Sequence, residues 1–448
     1  RLTHRPRTRG RSLVPPGGRR SHLAPGSARG GRTLWLRTPA EGHRTPLEWS
    51  TELVRDRLVG GEAITTLVHE ALDDPAQPES SLGERVDLGV GGPRAARVAD
   101  DAAGRVLPPR DLGLPVEAPD GLAVGAWYPV SGLPGAWVSI VQPRFLHPEV
   151  LAGLAAQTSA LSANEEAAYV YSLALDLSAF DLGFEVGTDH PRVTWSGRVP
   201  ESVHDRSLPG PDGFEDLAPL ARTGMLNPAL QDRLVGVFVG GFKRVHGAFA
   251  WGELANRNGG SHYGFVEQGV ELSRLWPGLA TVVVETDGTV DLRTWSSDRT
   301  PRHARQNGLP VLERGPDGIL HAGPFVRSWA LGNWSGSAEG DLRTVRGGLA
   351  LQRSDSGRFL VYSYFANATP SAMADVYAAY DCDYAMLLDM NALEHTYLAL
   401  DLPEGGQLRV RHLVLGMEVL DKTRGDEVWQ RFVGFPDNRD FFYVLRRR

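Results

Sequence analysis

Apolar and polar positions along the second two thirds of the chain alternate with a period of two far more often than with the period of a helix. Ala136 to Val141, Tyr169 to Leu177 and Phe180 to Gly187 are rich in Val, Tyr and Phe and predict strands. A proline-initiated run from Pro148 to Thr158 predicts a helix between the first two. Leu234 to Val239 is a continuous apolar run, the pattern of a buried strand, and it enters Gly240-Gly241-Phe242-Lys243. Paired glycines there permit a tight backbone path that side chains would block. Two hairpins follow, Thr281 to Trp295 turning at Asp287-Gly288 and Val345 to Phe365 turning near Asp355-Ser356-Gly357. Thr369 as N-cap and Pro370 in the first turn start a helix that ends near Asp381, with Met373, Val376, Tyr377 and Tyr380 on one face. Tyr384 to Leu388 is a short strand that delivers Asp389, Met390 and Asn391 at its exit, and His395 to Leu400 is another.

Upstream the pattern weakens. Residues 1–46 hold too few apolar side chains to offset the entropy of ordering, which predicts a disordered, Arg-rich arm or leader. Residues 47–118 predict short helices and a Pro/Gly-rich linker: Trp49, Leu53, Ile64, Leu67, Val68 and Leu72 recur at helical spacing, interrupted by Gly60-Gly61. Residues 119–448 form one large domain. The expected fold class is α+β: a mixed, largely antiparallel β-sheet core flanked by helices, with a disordered N-terminal extension.

Composition narrows the function classes. Of the net charge of −7, the arm before Pro46 contributes eleven Arg against Glu41 alone, so the body is strongly acidic. A face that releases counterions from nucleic acid needs clustered basic residues, so nucleic-acid binding by the body is not expected. Cys382 is the only cysteine, which excludes an intrachain disulfide, a cysteine-based zinc site and a CxxC redox pair, and it reads as a buried thiol. No stretch approaches the roughly 18–20 apolar residues that span a bilayer, so no transmembrane segment is expected. The chain begins at Arg1, compatible with a cleaved or truncated signal segment and a secreted, periplasmic or cell-surface location.

Three constellations carry candidate chemistry. Gly240-Gly241-Phe242-Lys243 with His246-Gly247 and His262-Tyr263-Gly264 offers backbone amides to an anion, a cation and proton-transfer groups, or else a Gly-rich turn with solvated polar residues. Arg305-Gln306-Asn307 presents directed donors that suit a phosphate or sugar hydroxyls, as do the side chains of many surface loops. Asp389, at a strand exit, is placed to act as base, nucleophile or orienter of a ligand, or to cap a turn, with Asn391 beside it. Arg343, opening the second hairpin, pairs with Asp389, with a substrate phosphate or with a structural partner. There is no P-loop, GxSxG or HExxH, and no metal-spaced His/Asp cluster, so neither a metal nor any other cofactor is expected.

Taken in order, the strand into Gly240-Gly241-Phe242-Lys243, His246-Gly247, Tyr263-Gly264, the hairpin from Leu279 to Trp295, Arg305-Gln306-Asn307, Arg343 and Leu388-Asp389-Met390-Asn391 resemble the phosphodiester glycosidase family. The resemblance runs from about Trp127 to Leu400 and rests on the order of several short motifs. Val239 stands where many members have Asn, and Asp389-Met390-Asn391-Ala392 where they have Asp-Gly-Gly-Gly-Ser, which is similar to a bacterial branch. Ala248 to Ser261 is an insertion carrying Trp251.

The resemblance implies a secreted hydrolase of a bacterial cell envelope, a glycosidase of carbohydrate metabolism cleaving the glycosidic bond of a sugar 1-phosphodiester. Its partner is then a glycan or sugar-phosphate substrate. Asp389, His246 and Arg305 are its expected catalytic groups; Gly240, Gly241, Phe242, Lys243, Tyr263, Gln306, Asn307, Arg343 and Asn391 its binding groups; Glu253 and Asp341 are reserves. A non-catalytic envelope protein binding glycan or phosphate in the same cleft is the rival reading. A metal-dependent phosphodiesterase is a third, with Asp389, Asn391, His246 and His262 as the ligands on offer.

Overall fold

The computed structural model describes residues 92–188, 224–242, 264–297, 299–328, 342–425 and 427–448, together with short backbone strands at Ala24–Ser27, Thr33–Leu36 and Ser81–Leu82. The two helices expected between Glu48 and Leu72 fall outside the described residues.

Three large antiparallel sheets, of eight, five and five strands, build most of the domain among the described residues. The elements that matter are β1 Tyr128–Pro129, β2 Ala136–Val141, α1 Pro148–Leu154, α2 Ala163–Ala167, β3 Val170–Asp176, β4 Phe180–Glu185 and β5 Leu234–Val239. They continue as β6 Phe265–Glu267, β7 Val270–Ser273, β8 Ala280–Val284, β9 Val290–Thr294, β10 His303–Gln306, β11 Pro310–Arg314 and β12 Leu320–Ala322. The remainder are β13 Thr344–Ser354, β14 Gly357–Ala368, α3 Pro370–Ala379, β15 Cys382–Met390, β16 Leu398–Glu404, β17 Gln407–His412 and β18 Phe441–Arg446. The large sheet runs β12-β11-β15-β13-β14-β3-β2-β1, a second β17-β16-β5-β18-β4, and a third β7-β6-β10-β8-β9. The expected α+β class with a largely antiparallel core is what the structure has.

The hairpin β13–β14 sits centrally in the large sheet, and both of its faces are covered, which is why its residues read as near-continuous apolar runs. Its loop closes at the pair Ser354–Gly357, with Gly357 at φ +147°, a conformation that glycine supplies cheaply. Alternation along β14 decides what meets each face. Phe365 packs edge-on to Tyr377 of α3, with ring centroids 5.6 Å apart. Tyr362 points the other way, to Phe238 of β5 at 5.4 Å. Phe238 in turn stacks on Phe442 of β18, and Phe442 lies against Phe184 of β4, each at 5.2 Å. An aromatic chain therefore welds the second sheet to the first, each ring burying a large apolar area.

Helix α3 starts as expected: the Thr369 hydroxyl accepts from the Ala372 amide at 3.3 Å and Pro370 takes the first turn. The one-sided helix expected from Met373, Val376 and Tyr377 is instead buried all round, residue by residue from Pro370 to Ala379. Its alanines are small enough to be covered on every side, with the large sheet below and α1 against it. The expected strand at Tyr384 to Leu388 runs longer, through Met390, so that Asp389 lies within it; the one expected at His395 starts instead at Leu398, after a 3-10 turn at Leu393–His395.

Residues 92–118, placed in the linker by composition, belong to the packed domain. Leu107 and Leu114 enter the core, and the Gln352 side chain clasps Arg94, accepting from its amide and donating to its carbonyl, both at 2.8 Å. Pro and Gly hide the period there, but the backbone still finds partners. Cys382 is a buried free thiol, as expected. Among the described residues no helix is long and apolar enough to cross a membrane.

One consequence of the all-round burial of α3 is measurable. Asp375 is 2% exposed and its Oδ1 has no hydrogen-bond partner. Burial pushes its carboxyl up to about 7, the Glu165 charge adding to the effect and the Thr158 hydroxyl opposing it. Between the unfolded value near 3.9 and about 7 the native state binds more protons than the unfolded chain, so stability falls as pH rises through that window. Asp375→Asn is expected to leave stability near pH 4 unchanged and to raise it at pH 8 by on the order of 1–3 kcal/mol, read from urea unfolding at both pH values.

Candidate functional site

Strand β5 is fully buried between β16 and β18, and its apolar run stops where the backbone must turn beside polar groups. The Gly240 amide donates to the Asp440 carbonyl at 2.8 Å. Gly241 follows at φ +124°, and a Cβ on it would lie 2.7 Å from the Asn307 Oδ1. The Phe242 amide donates to that same oxygen at 3.0 Å, while Asn307 Nδ2 donates to the carbonyls of Leu387, at 2.6 Å, and Leu388. One buried amide side chain thus ties the glycine corner to the strand that carries Asp389, filling most of its hydrogen-bonding capacity.

Asp389 is 3% exposed. Its Oδ1 accepts from the Met390 amide at 2.8 Å and its Oδ2 pairs with Arg439 Nη1. His395 lies alongside: its Nδ1 is 2.5 Å from the Met390 carbonyl and 4.0 Å from Asp389 Oδ1, and its Nε2 is 3.8 Å from Glu394 Oε1. A carbonyl only accepts, so the close contact assigns the neutral-ring proton to Nδ1. The His395 side chain, 12% exposed, is the least covered of this group. Burial, with the Tyr364 and Asp389 charges adding to it, pushes the Tyr362 phenol well above its ordinary range, so the aromatic wall behind Asp389 stays neutral.

The charges continue away from Asp389. The Arg439 amide donates to Asp437 Oδ1 at 2.9 Å; Asp437 accepts Nε and Nη2 of Arg431 at 2.8 and 3.2 Å; Arg431 Nη1 donates to the Glu394 carbonyl at 2.6 Å. Asp421 accepts the Arg431 amide at 2.9 Å and the Tyr397 hydroxyl at 2.7 Å, and lies 3.1 Å from His412 Nε2. Burial first, and then the Asp421 charge, drives the Tyr397 phenol well above its ordinary range, which keeps it a donor. Sequence reasoning missed Arg431, Glu394, His395 and the run Asp437-Asn438-Arg439-Asp440. The signal was available: four consecutive polar residues lead directly into the apolar strand β18, and all four are buried.

The other expected groups have different placements. Arg305 is 1% exposed and turned inward: Nε donates to Asp440 Oδ2 at 3.1 Å, Nη1 to the Gln306 carbonyl and Nη2 to the Phe242 carbonyl. The fork expected to face a phosphate here braces the glycine corner, because the buried Asp440 needs a counter-charge. Gln306 accepts the amides of Gly264 and Trp276 at 3.1 and 2.8 Å and donates to the Trp276 carbonyl at 2.8 Å and Thr281 Oγ1 at 3.2 Å, so its side chain holds a loop.

Arg343 pairs with Glu165 at 3.2 Å. Burial pushes the Glu165 carboxyl up, but hydrogen bonds from Ser162 and Thr369 outweigh it and leave the group below its ordinary range. Asn391, at φ +81°, donates its amide to the Val345 carbonyl at 2.8 Å, the left-handed conformation that asparagine tolerates best among residues with side chains. Gly240, Gly241, Phe242, Arg305, Asn307 and Asp389 are therefore brought together, and Arg343 is paired with Glu165. Lys243, His246, Trp251, Glu253, His262, Tyr263 and Asp341 lie outside the described residues, as does the insertion from Ala248 to Ser261.

No known family profile and no curated protein matches this chain. Among solved structures, the chain is similar to the catalytic domain of zebrafish N-acetylglucosamine-1-phosphodiester alpha-N-acetylglucosaminidase auto-inhibited by its pro-peptide, at 10% identity and a TM-score of 0.32 over 71% of this chain and 85% of that one. A hypothetical protein from Synechocystis aligns at 14% identity and a TM-score of 0.23, over 62% of this chain and 59% of that one. A Burkholderia pseudomallei K96243 protein that bears the name "putative exported protein" aligns at 12% identity and a TM-score of 0.22, over 62% of this chain and 74% of that one. These likenesses are weak.

Proposed function

We propose that the protein is an exported hydrolase that cleaves the glycosidic bond of a sugar 1-phosphodiester in an envelope or extracellular glycan, with Asp389 at its chemical centre. The observation that carries the reading is the setting of that carboxylate. It is anchored by Arg439 and a backbone amide, beside a glycine corner whose next residues are Phe242 and Lys243. A carboxylate held rigidly and largely out of water is worth most to a positive charge that develops only in the transition state.

In this reading the anomeric C–O bond breaks, its electron pair leaves with the phosphate, and water supplies the new C–O bond. Asp389 stabilises the oxocarbenium-like carbon or attacks it. The departing phosphate is a good leaving group, so strong acid assistance is not required. His246 remains the sequence's choice for proton transfer, and His395 is the histidine among the described residues within 4.0 Å of the carboxylate. Lys243 is assigned to the phosphate, since Arg305 is engaged by Asp440, Arg343 by Glu165, and the Gly240 and Phe242 amides by the Asp440 carbonyl and Asn307.

That engagement is also what favours the rival reading, a glycan- or phosphate-binding protein without turnover. Both readings are separated by release of free sugar from sugar 1-phosphodiesters, including UDP-N-acetylglucosamine, by the full chain. Turnover lost by about 10²–10⁴-fold in Asp389→Asn with the protein still folded is the expected result. Absence of sugar release from every substrate, with glycan binding intact in both proteins, establishes the rival.

Arg439→Gln gives a second check. It strands the buried Asp389 carboxylate, so a stability loss of about 3–5 kcal/mol is expected, larger at pH 8 than at pH 4, where protonation relieves the stranded charge. Equal losses at both pH values would show that the pair is not ionic in the folded protein.

A further inference from the structure

The third sheet has two sides. Alternation along β10 sends Arg305 to the main core, while Ala304 faces the other way, under a separate apolar cluster of Val266, Leu275, Val283 and Trp295. A pocket of about 220 Å³ opens over that outer cluster, lined by Val266, Leu275 and Trp295 of the cluster together with Arg274, Arg299, Glu271 and the hydroxyl-bearing residues 296, 297 and 300. None of these residues takes part in the Asp389 site.

We propose that this pocket binds a single anionic sugar unit, a hexose bearing a phosphate or a carboxylate. Three properties point to that chemistry. The volume is below the roughly 300–1,000 Å³ of sites for drug-sized ligands, so it suits one ring rather than an oligosaccharide. The lining combines apolar residues, an indole among them, with hydroxyl-bearing and charged ones, as a ligand with one hydrophobic face and many hydroxyls requires. Among the described lining residues two guanidinium groups, Arg299 and an Arg274 that stacks 5.4 Å over Trp276, stand beside the one carboxylate of Glu271, and guanidinium forks suit phosphate and carboxylate oxygens.

The walls are fixed before any ligand arrives. The Trp295 backbone is pinned at both ends, its amide donating to the Leu279 carbonyl and its carbonyl accepting from the Gly278 amide, each at 2.9 Å. Gln306 clamps Trp276 by its amide and its carbonyl, and the Leu275 amide donates to Glu271 Oε1 at 3.2 Å, so the loop bearing Arg274 and Leu275 is held from two directions. The Arg299 amide donates to Ser297 Oγ at 3.1 Å, shaping the opposite wall. Gln306, expected to touch substrate, thereby acquires a role in shaping this second site. Such prior fixing reduces the ordering cost of binding.

The test is calorimetric titration of the full-length protein with glucose 6-phosphate, glucuronate, glucose and inorganic phosphate, repeated on Arg274→Gln/Arg299→Gln, Trp295→Phe and Asp389→Asn. The expected result is binding of glucose 6-phosphate or glucuronate, with whichever is bound naming the anion. Glucose and inorganic phosphate are expected to bind at least about ten-fold more weakly, as is the ligand to the double variant, since each lost charge-assisted bond costs about that factor. Trp295→Phe is expected to weaken binding, and Asp389→Asn to leave it unchanged, which keeps this outcome independent of the hydrolase reading. No binding of either anionic sugar at about 10 mM, equal binding of phosphate alone, undiminished affinity in the double variant, or loss of binding in Asp389→Asn would each overturn the proposal.

Discussion

The withdrawal of four charged side chains from water between Arg431 and Asp440 is the constraint on which the rest of this molecule depends. Taking one such ion out of water costs several kcal/mol, and the cost is recovered only if each is met by a partner of opposite charge and by hydrogen bonds in good geometry. Here Asp437 is met by Arg431, Asp440 by Arg305 and Asp389 by Arg439. Those partners come from β10, β15 and the segment before β18, so the pairs can form only when the second and third sheets are both seated against the first. A buried ionic network of this kind contributes little net stability but penalises every arrangement in which one partner is missing. It therefore selects this docking of the sheets over others that the apolar surfaces alone would allow.

The aromatic chain from Tyr362 through Phe238 and Phe442 to Phe184 supplies the complementary, less selective term: large buried area, tolerant of small shifts. Asn307 fixes what remains loose, because its one side chain binds an amide of the β5 exit and two carbonyls of β15. The glycine at 241 is then a steric requirement as much as a conformational one, since the space of a side chain there is occupied by the Asn307 amide.

Much of this was legible in the sequence where one physical signal dominated. Period-two alternation placed β2 and both hairpins, a continuous apolar run placed β5, and the Thr369-Pro370 pair placed the start of α3 to the residue. What escaped were properties set by tertiary contact. Burial on every side of α3 cannot be read from a helix whose alanines suit either water or core. Residues 92–118 looked like linker because Pro and Gly break periodicity without preventing burial. Arg305 and Gln306 were read as outward-facing donors because donor-rich side chains look alike on a surface and in a core, and only the carboxylate of Asp440, more than a hundred residues on, decides which way the guanidinium turns. The Asp437-to-Asp440 run went unremarked for the converse reason: charged residues before a strand usually mark a solvated turn, and here they mark four consecutive buried polar residues.

The inward turn of Arg305 also constrains any chemistry at Asp389. A guanidinium whose nitrogens are committed to Asp440 and to two carbonyls cannot also grip a leaving phosphate without undoing the brace of the glycine corner. On the proposed reading, stabilisation of that phosphate comes from groups that are not spent on architecture, and the chain leaves the corner through Lys243, whose single flexible ammonium suits a group that needs charge more than a fixed fork. On the proposed reading the division of labour is physical: planar, always-charged arginines where geometry must be permanent, and a lysine where a ligand must come and go. On this account β10 serves two faces at once, Arg305 bracing the charged core and Ala304 and Gln306 supporting the pocket outside. The two-residue period of a single strand is enough to keep those tasks apart.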